Sequence, residues 1–395
     1  MSADYLDIDN IFAPDGLVAF MATTWCKTPL HLTGTAGRFA SLFNWDALSR
    51  MLETCPLDTP RIELARGGLS VPDVSFIRRR EGVARIDGGA LTRLLDQGAT
   101  LIVNFLDEMA SGPEALCAAL TQALGVMTSA NLYASWRAEN GLPLHWDSHG
   151  VLVLQLAGRK RWTVYAPTRP DVIKGDKFVP PAAEVRPIWQ GLLEDGDVLY
   201  LPRGYPHMAS ALEGPSLHLT FALSETTAHG FLRWLDEDLR NDPRWRAALP
   251  GAEGDAAAWI TELRESLNAA LTPTALERFR AARASEKSAR LRFAFPGLAR
   301  EAPAEWTRAT TLRLASRRGL AVTHDGSGGS VRLGETAWPC AAPVAKALGR
   351  LSDNVPLELG SLEQPLDPVG KAELRRLLTV LHLSGALDSI TAQVS

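Results

Sequence analysis

The chain has 395 residues, too many for one ordinary hydrophobic core, so its length predicts two or three domains. Its apolar content of 46% and charged content of 22% are typical of globular proteins. A net charge of −4 excludes a global attraction to nucleic acid or anionic membranes, and no apolar run is long enough to span a bilayer. Four scattered cysteines and an acidic N-terminus without a leader pattern favour the cytoplasm.

The first third of the chain mixes helical and extended patterns. Helical spacing of apolar residues predicts helices at Asn44–Leu52, Gly89–Gln97 and Pro113–Leu124, and short apolar runs predict strands at Arg61–Leu64 and Thr100–Phe105.

From Asn131 to Leu223 the pattern changes to short strands separated by glycine and proline turns. These strands are expected at Val151–Leu156, Arg161–Tyr165, Asp197–Leu201, Pro206–Leu212 and Ser216–Leu223. Short strands at regular spacing indicate an all-β sandwich or barrel.

After Glu225 the pattern becomes helical again. Helices are predicted at Ala228–Leu239, Asp255–Leu271 and Thr274–Ala289, followed by a linker at Phe295–Pro303. In the last segment, strands (Thr311–Leu314, Val331–Leu333) alternate with helices (Ala341–Leu351, Val369–Ser384). This mixture predicts a small winged-helix-like module.

A candidate metal site begins at His145-Trp146-Asp147 and is completed by His207, sixty positions after Asp147. Residues two apart on a strand project from the same face, so His145 and Asp147 can reach one ion. Two imidazoles and one carboxylate make the facial triad of non-haem Fe(II) oxygenases, which leaves coordination positions open. His207 follows a Gly-Tyr-Pro turn at the start of a predicted strand, from which a barrel can bring it opposite His145.

Other histidines leave the choice of ligands open. A His-x-Asp tripeptide is a weak signal by itself, and a lone strand histidine is more often a hydrogen-bonded core residue. His149 shares the predicted face of His145 and Asp147, so a cupin using His145, His149 and a distant carboxylate for manganese or zinc is an alternative. We assign His149 to the substrate pocket. His218 alternates with apolar neighbours and is assigned a structural role.

Several separated stretches, in order and spacing, resemble the JmjC-domain ribosomal oxygenases of the cupin superfamily. The resemblance extends from about Phe20 to Leu223 and rests on the stretches Trp25–Leu30, Asn131–Ser135, Gly141–Asp147, Val151–Trp162, Gly196–His207 and Ser216–Thr220. It implies a double-stranded β-helix barrel that binds Fe(II) and uses 2-oxoglutarate as co-substrate.

The resemblance also implies which residues hold the co-substrate. In this family a basic residue just after the glycine of the hairpin binds the distal carboxylate, and Lys160 occupies that position. Strand alternation places Lys160 on the face opposite Arg159 and Arg161, although a solvated basic turn is the alternative. Asn131 and Tyr133 are expected to donate hydrogen bonds near the co-substrate, with routine strand packing as the alternative.

The expected architecture is therefore mixed: a JmjC/cupin barrel with flanking helices (1–225), a helical dimerisation segment (226–300) and a winged-helix-like α+β module (301–395). The expected function is hydroxylation of a protein or peptide side chain, with a ribosomal protein as first candidate. The alternatives are a non-catalytic metal-binding cupin that acts in binding or regulation and, less favoured, an N-methyl-lysine demethylase. Ten arginines and one lysine between Leu276 and Arg318 permit nucleic-acid contact, but a solvated helix face is preferred.

Overall fold

The computed structural model describes residues 8–139, 141–212, 214–252, 254–286, 306–315, 320–324, 328–333, 336–351 and 356–390. The chain folds as two compact units, Met1–Glu225 and Thr226–Ser395. Within the described ranges, no helix is both long enough and apolar enough to cross a membrane. The predicted linker Phe295–Pro303 lies outside the described residues.

Five helices belong to the first unit: α1 (Ile8–Ile11), α2 (Gly16–Thr23), α3 (Trp45–Thr54), α4 (Gly88–Asp96) and α5 (Ser111–Leu124). Helices α3 and α4 have side-chain N-caps. Asn44 accepts a hydrogen bond from the Ala47 amide, and Asp87 accepts one from the Ala90 amide. Helix α5 ends at Gly125, whose φ of 67° suits a residue without a Cβ atom. The three helices predicted in this region are confirmed, with ends that differ by at most two residues.

An eight-stranded antiparallel sheet and a three-stranded antiparallel sheet form the body of this unit. Its strands are β1 (Leu30–Leu32), β2 (Ile62–Arg66), β3 (Leu69–Val71), β4 (Ile77–Arg80), β5 (Val83–Ile86), β6 (Thr100–Val103), β7 (Met127–Ser135), β8 (Gly150–Ala157), β9 (Lys160–Val164), β10 (Trp189–Leu193), β11 (Val198–Leu201), β12 (His207–Ala211) and β13 (Ser216–Ser224). The large sheet has the order β1-β11-β8-β13-β7-β6-β2-β3, and the small sheet has the order β10-β9-β12.

The two sheets pack against each other. Apolar side chains of β8 and β11 form one buried cluster with Trp162 and Val164 of β9 and Leu193 of β10. Two facing antiparallel sheets joined by strands that alternate between them define the predicted double-stranded β-helix barrel. The barrel prediction is therefore confirmed.

Strands β7 and β13 are neighbours in the large sheet, and each has two different faces. On β13, Leu217, Leu219, Phe221 and Leu223 belong to the main apolar core, and on β7 Leu132 does the same. The alternate residues point to the other face of the sheet. In the antiparallel register, His218 is paired with Tyr133 and Thr220 is paired with Asn131. The face opposite the core is thus a row of polar side chains inside the barrel.

Several strands of the first unit were not predicted. They are β1, β3, the hairpin β4–β5 and β10. The hairpin contains the run Arg78–Arg80, which has no apolar alternation and therefore does not predict a strand. Each strand of the hairpin buries one apolar residue in the core, Ile77 on β4 and Ala84 on β5.

The second unit contains helices and two small sheets. Its helices are α6 (Ala228–Leu239), α7 (Pro243–Arg246), α8 (Ala256–Ala270), α9 (Pro273–Glu286), α10 (Ala342–Leu348), α11 (Leu359–Glu363) and α12 (Pro368–Leu383). Its strands are β14 (Thr311–Leu314), β15 (Ala321–His324), β16 (Gly329–Leu333), β17 (Thr336–Cys340), β18 (Leu357–Glu358) and β19 (Leu387–Ile390), in the orders β18-β14-β19 and β15-β16-β17.

The helix and strand patterns predicted for this unit are largely confirmed. Helix α10 ends three residues before the predicted Leu351, because Leu348 is followed by Gly349. The last three residues of the predicted helix Thr274–Ala289 lie outside the described residues. A separate apolar core joins α10, α11 and α12 to β14, β16 and β19. The winged-helix assignment for this module remains a prediction.

Candidate metal and co-substrate site

The three predicted metal ligands come together at one end of the barrel. His207 is the first residue of β12 and follows Gly204, whose φ of +81° makes the tight turn that the sequence predicts. His145 and His207 exchange two backbone hydrogen bonds, of 3.2 Å and 2.7 Å, and the Gly204 amide donates to the Asp147 carbonyl at 2.9 Å. These backbone contacts fix the two segments against each other.

One local expectation is wrong. The segment from His145 to His149 was predicted to be a regular strand, but only His145 forms a bridge, and the chain bends at Ser148 and His149. The segment follows Pro143, which has no amide hydrogen to donate, and its backbone hydrogen bonds join it to the first residue of β12 and to Gly204 of the preceding turn. His145 and Asp147 still converge, because the bridge and the Gly204 contact hold both residues beside His207.

The ligand atoms of the three side chains are within reach of a single ion. Nε2 of His207 lies 3.5 Å from Oδ2 of Asp147, and Nε2 of His145 lies 3.9 Å from the same oxygen. One ligand atom from each residue lies within 4.8 Å of the other two. Separations of this size fit donor atoms that surround one metal ion.

Each imidazole is oriented by its other nitrogen. Nδ1 of His145 is 2.8 Å from the Pro143 carbonyl oxygen, and Nδ1 of His207 is 2.9 Å from the Tyr205 carbonyl oxygen. A carbonyl oxygen only accepts, so Nδ1 carries the proton in both rings and Nε2 keeps its lone pair. Backbone contacts of this type are the usual outer-shell support of metal-binding histidines.

Burial also keeps His207 in the form that binds metal. Its side chain is only 6% exposed, whereas those of His145 and Asp147 are about one third exposed. Desolvation lowers the pKa of His207, and the Asp147 carboxylate partly opposes this change. The neutral imidazole, with a free lone pair, is therefore favoured at neutral pH.

The three ligands open into a cavity of about 190 Å³ inside the barrel. Both sheets line this cavity, together with the loops that carry Gly141, Leu142 and the candidate ligands. The lining residues are Thr100, Asn131, Tyr133, Gly141, Leu142, His145, Asp147, His149, Val151, Lys160, Trp162, His207, Ala209, His218, Thr220 and Ala222. All the residues assigned to the site from the sequence line this one cavity.

Lys160 contributes a buried ammonium group to the cavity. It is 3% exposed, whereas Arg159 and Arg161 on either side are exposed, as strand alternation predicts. Among the described residues its ammonium has one hydrogen bond, a 3.4 Å contact with the Ser135 hydroxyl, and it lies 6.0 Å from the centre of the Tyr133 ring. Desolvation lowers the pKa of Lys160 to about 7, and no carboxylate opposes that change. The alternative of a solvated basic turn does not describe this side chain.

Asn131 and Tyr133 lie on the cavity face of β7. The Asn131 side chain accepts a 3.0 Å hydrogen bond from the Phe105 amide. Burial raises the pKa of Tyr133, and the Asp147 carboxylate acts in the same direction. The phenol is therefore a neutral hydrogen-bond donor at any ordinary pH.

His149 also lines the cavity but stands apart from the three candidate ligands. It does not belong to the group of described residues whose ligand atoms lie within 4.8 Å of one another. Its Nδ1 atom is buried without a hydrogen-bond partner in the described part of the chain. This position is compatible with a contact to a bound substrate.

Two cavity residues were missed in the sequence. His218 was assigned a structural role because its neighbours in the sequence are leucines, but the leucines face the core and His218 faces the cavity. Trp162 stacks on His207, with 5.9 Å between ring centres, and its indole nitrogen is buried without a partner among the described residues. The signal that could have identified His218 is the strict alternation Ser-Leu-His-Leu-Thr. A strand that is buried on both faces can place its leucines in the core and its polar residues in a cavity on the opposite face.

The family model described as JmjC domain matches residues 104–231 of this chain. Among solved structures, YcfD, a ribosomal oxygenase from Escherichia coli in complex with cobalt and 2-oxoglutarate, has a TM-score of 0.56 at 19% identity, covering 95% of this chain and 98% of that one. This likeness shows a shared fold.

Curated relatives are named as oxygenases of the same kind. The bifunctional lysine-specific demethylase and histidyl-hydroxylase NO66 of Drosophila persimilis is 26% identical over 237 residues, which are 56% of this chain and 32% of the relative. Ribosomal oxygenase 2 of Rattus norvegicus is 38% identical over 109 residues, which are 27% of this chain and 23% of the relative. The resemblance to ribosomal oxygenases is confirmed, although the chain spans only about a third or less of the length of these relatives.

Proposed function

We propose that this protein is an Fe(II)- and 2-oxoglutarate-dependent oxygenase that hydroxylates a side chain of a protein or peptide. One observation carries the proposal: a two-histidine, one-carboxylate cluster lines the same cavity as a buried ammonium group that has no ionic partner among the described residues. The first feature suits a non-haem iron and the second suits the far end of a dicarboxylate.

The donor set fits a metal of this class. Mixed nitrogen and oxygen ligands suit Fe(II), and three protein ligands leave room for other groups on an octahedral ion. His145, Asp147 and His207 would hold the metal, with both imidazoles presenting Nε2 and the backbone carbonyls of Pro143 and Tyr205 fixing their rings. The open positions would face the cavity, because all three side chains line it.

Lys160 fits a co-substrate with a carboxylate remote from the metal. An ammonium group that is 3% exposed and has no ionic partner among the described residues carries an uncompensated desolvation cost. A ligand carboxylate would remove much of this cost by forming a buried ion pair. Bound iron and 2-oxoglutarate would supply the oxidation, in which one oxygen atom of O2 enters the substrate hydroxyl and the other enters the succinate formed with loss of CO2.

Other cavity groups would orient the co-substrate and limit access of water. Asn131 and Tyr133 offer neutral polar groups, and Val151, Trp162 and Ala222 provide apolar walls. His149 would contact the substrate, because it lines the cavity and has an unused buried nitrogen. The protein thus binds and positions the reactants, and the cofactor pair performs the oxidation.

A ribosomal protein is the proposed substrate class, since relatives are named ribosomal oxygenase. A cytoplasmic location is compatible with such a substrate. We further propose that the chain forms a homodimer through α6, α8 and α9, because Leu232 of α6, Ile260 of α8 and Leu271, which follows α8, have exposed apolar side chains. The module that follows these helices is proposed to be winged-helix-like.

The activity can be tested without knowledge of the substrate. Wild-type protein supplied with Fe(II), O2 and 2-oxoglutarate should slowly form succinate in the uncoupled reaction, measured by NMR or mass spectrometry. Asp147→Ala should abolish this formation, because the carboxylate ligand is removed. Equal succinate formation by wild type and Asp147→Ala would refute the proposal.

The substrate class needs a separate experiment. Ribosomal proteins from cells with and without the gene would be compared by mass spectrometry. The proposal predicts a +16 Da shift on one side chain that depends on the gene and is lost in cells that carry the Asp147→Ala variant. A shift that persists in the variant cells would assign the modification to another enzyme.

A second candidate reaction is removal of a methyl group from N-methyl-lysine. It is favoured by the name of the NO66 relatives, which includes lysine-specific demethylase. Hydroxylation of an N-methyl group releases formaldehyde, whereas hydroxylation of a carbon side chain does not. Formaldehyde release from methylated lysine peptides would therefore support this candidate, and a stable +16 Da product would support hydroxylation.

A non-catalytic metal-binding cupin is the remaining alternative. Such a protein has no use for a buried cation beside its metal site. Stoichiometric zinc in the purified protein, unaffected by 2-oxoglutarate, would favour this alternative over an oxygenase.

A further inference from the structure

His218 lies on β13 and lines the same cavity as the three candidate ligands. It is 2% exposed and lines the cavity together with Lys160 and Tyr133. The register between β13 and β8 is irregular at this point, since Leu217 is opposite Ala157 and His218 is opposite Gln155. An irregularity of this kind redirects side chains locally and is frequent next to functional sites.

Two aromatic rings hold the His218 imidazole in one orientation. Tyr133, its cross-strand partner, stacks on it with ring centres 4.9 Å apart and planes within 4° of parallel. Trp162 contacts it edge-on, with ring centres 5.8 Å apart and planes at 74°. The ring therefore has little freedom to turn away from the cavity, and its nitrogen atoms point in fixed directions.

The imidazole of His218 forms no hydrogen bond with the described residues. Nδ1 of His218 is buried without a partner, and neither ring nitrogen contacts a polar atom of the described residues at hydrogen-bonding distance. A buried polar group that lacks a partner costs about 1–3 kcal/mol and is rare in native proteins. Such a group at a cavity wall indicates that a ligand supplies the missing partner.

The buried ammonium group of Lys160 lies close enough to affect the pKa of His218. Desolvation lowers the pKa of His218 well below its ordinary value, and the positive charge of Lys160 adds to this effect. The imidazole is therefore neutral and offers one N–H group. Lys160 itself has only the Ser135 hydroxyl as hydrogen-bond partner among the described residues. A buried cation and a buried neutral donor thus face the same space, and no carboxylate of the described residues pairs with either.

We propose that His218 binds the distal carboxylate of 2-oxoglutarate through its ring N–H, beside the Lys160 ammonium. This inference rests on the proposed function. A carboxylate has two oxygen atoms, and each can accept from one of the two donors. The pair spans both sheets, because Lys160 is on β9 and His218 is on β13. The distance between the metal and these two donors would thereby select a co-substrate of the length of 2-oxoglutarate.

The competing explanation is that His218 only fills space between Tyr133 and Trp162. The variant His218→Phe separates the two roles, because phenylalanine keeps a stacked ring of similar size and has no N–H. His218→Gln is the companion variant, because it keeps an N–H donor and loses the ring. Cobalt content and circular dichroism would establish that each variant retains the metal site and the fold.

The experiment compares two ligands on the cobalt-loaded protein by isothermal titration calorimetry. The first is 2-oxoglutarate, and the second is 2-oxopentanoate, which has the same five-carbon chain with a methyl group in place of the distal carboxylate. Both chelate the metal through the same keto acid group. The ratio of their dissociation constants therefore reports on the distal carboxylate alone.

The proposal predicts that His218→Phe weakens 2-oxoglutarate binding by about 10- to 100-fold, the usual effect of losing a hydrogen bond to a charged group. Binding of 2-oxopentanoate should change by less than about threefold, since it has no distal carboxylate. His218→Gln should recover part of the lost 2-oxoglutarate affinity.

Two results would overturn the proposal while leaving the proposed function intact. One is unchanged binding of both ligands to His218→Phe, and the other is an equal loss for both ligands, which would indicate a packing role. Absence of 2-oxoglutarate binding to the wild-type protein is a different result, and it would refute the proposed function together with this inference.

Discussion

The two ends of the barrel cavity differ in how their polar groups are satisfied. At the metal end, His145 and His207 hydrogen-bond to backbone carbonyls, and Asp147 lies within 4 Å of both imidazoles. At the other end, Lys160 has one long hydrogen bond to a hydroxyl and His218 has none among the described residues. The metal end is also partly open, whereas the other end is buried.

This difference indicates two ways of preparing a binding site. The metal end is oriented in advance by backbone contacts, so its geometry does not depend on the ligand. The far end instead keeps a cation in a dry environment without a counter-charge, which costs stability until a carboxylate arrives. Strained or unsatisfied groups of this type are typical of functional sites.

The largest expected effect concerns the metal end. His207→Ala should lower the affinity for Fe(II) or Co(II) by more than about 100-fold, since even the loss of an outer-shell partner costs 10- to 100-fold. Metal content after dialysis, measured by mass spectrometry, checks this expectation. His149→Ala is the matched control, because it removes a cavity histidine outside the cluster and should retain the metal. Loss of metal from His149→Ala together with retention of metal by His207→Ala would show that the ligands are assigned wrongly.

A smaller effect is expected at the far end. Lys160→Ala should weaken 2-oxoglutarate binding by about 100-fold or more, because breaking a buried ion pair costs about 3–5 kcal/mol, and metal content should stay unchanged. The measurement is titration of the cobalt-loaded protein with 2-oxoglutarate. Arg161→Ala, which removes an exposed cation one residue away, should bind as the wild type does. Equal affinity of Lys160→Ala and wild type would exclude Lys160 from the site.

The smallest effect is on stability and has the opposite sign. Lys160→Met should stabilise the ligand-free protein by about 1–4 kcal/mol, because an apolar side chain replaces an unpaired buried cation. Thermal unfolding of the ligand-free protein measures this gain, and Arg161→Met should change stability by no more than about 0.5 kcal/mol. A destabilised Lys160→Met variant would show that the ammonium is already satisfied.

The pH dependence of that gain follows from the lowered pKa of Lys160. The pKa is about 7 in the folded protein and 10.5 in the unfolded chain, so the unfolded chain binds more protons between these values. Wild-type stability therefore rises with pH across this interval. The advantage of Lys160→Met should be complete below pH 7 and should disappear as the pH approaches 10.5. If the stability gain of Lys160→Met did not depend on pH, the gain would come from packing alone.

The sequence predicted the metal end well because its signals are local. The spacing of His145 and Asp147 and the glycine turn before His207 require little knowledge of the whole barrel. Even there, the expected strand at His145 was wrong, because a single bridge to His207 replaces a regular ladder. His145 and Asp147 still converge with His207, because backbone hydrogen bonds join His145 to His207 and Asp147 to Gly204.

The far end was predicted only in part. Lys160 was found because alternation separates it from two exposed arginines, together with the family resemblance. His218 was missed because leucines on both sides suggest a core strand, and the sequence does not reveal that the opposite face of β13 lines a cavity. Its cross-strand stacking on Tyr133 depends on the register between β13 and β7, which no local pattern specifies.

A crystal structure with Mn(II) and 2-oxoglutarate, prepared without oxygen, tests the account most directly. The account predicts the ion bound by Nε2 of His145, a carboxylate oxygen of Asp147 and Nε2 of His207, with the distal carboxylate of 2-oxoglutarate in contact with Lys160. An ion held by His149 in place of His207, or a distal carboxylate that points away from Lys160, would contradict it.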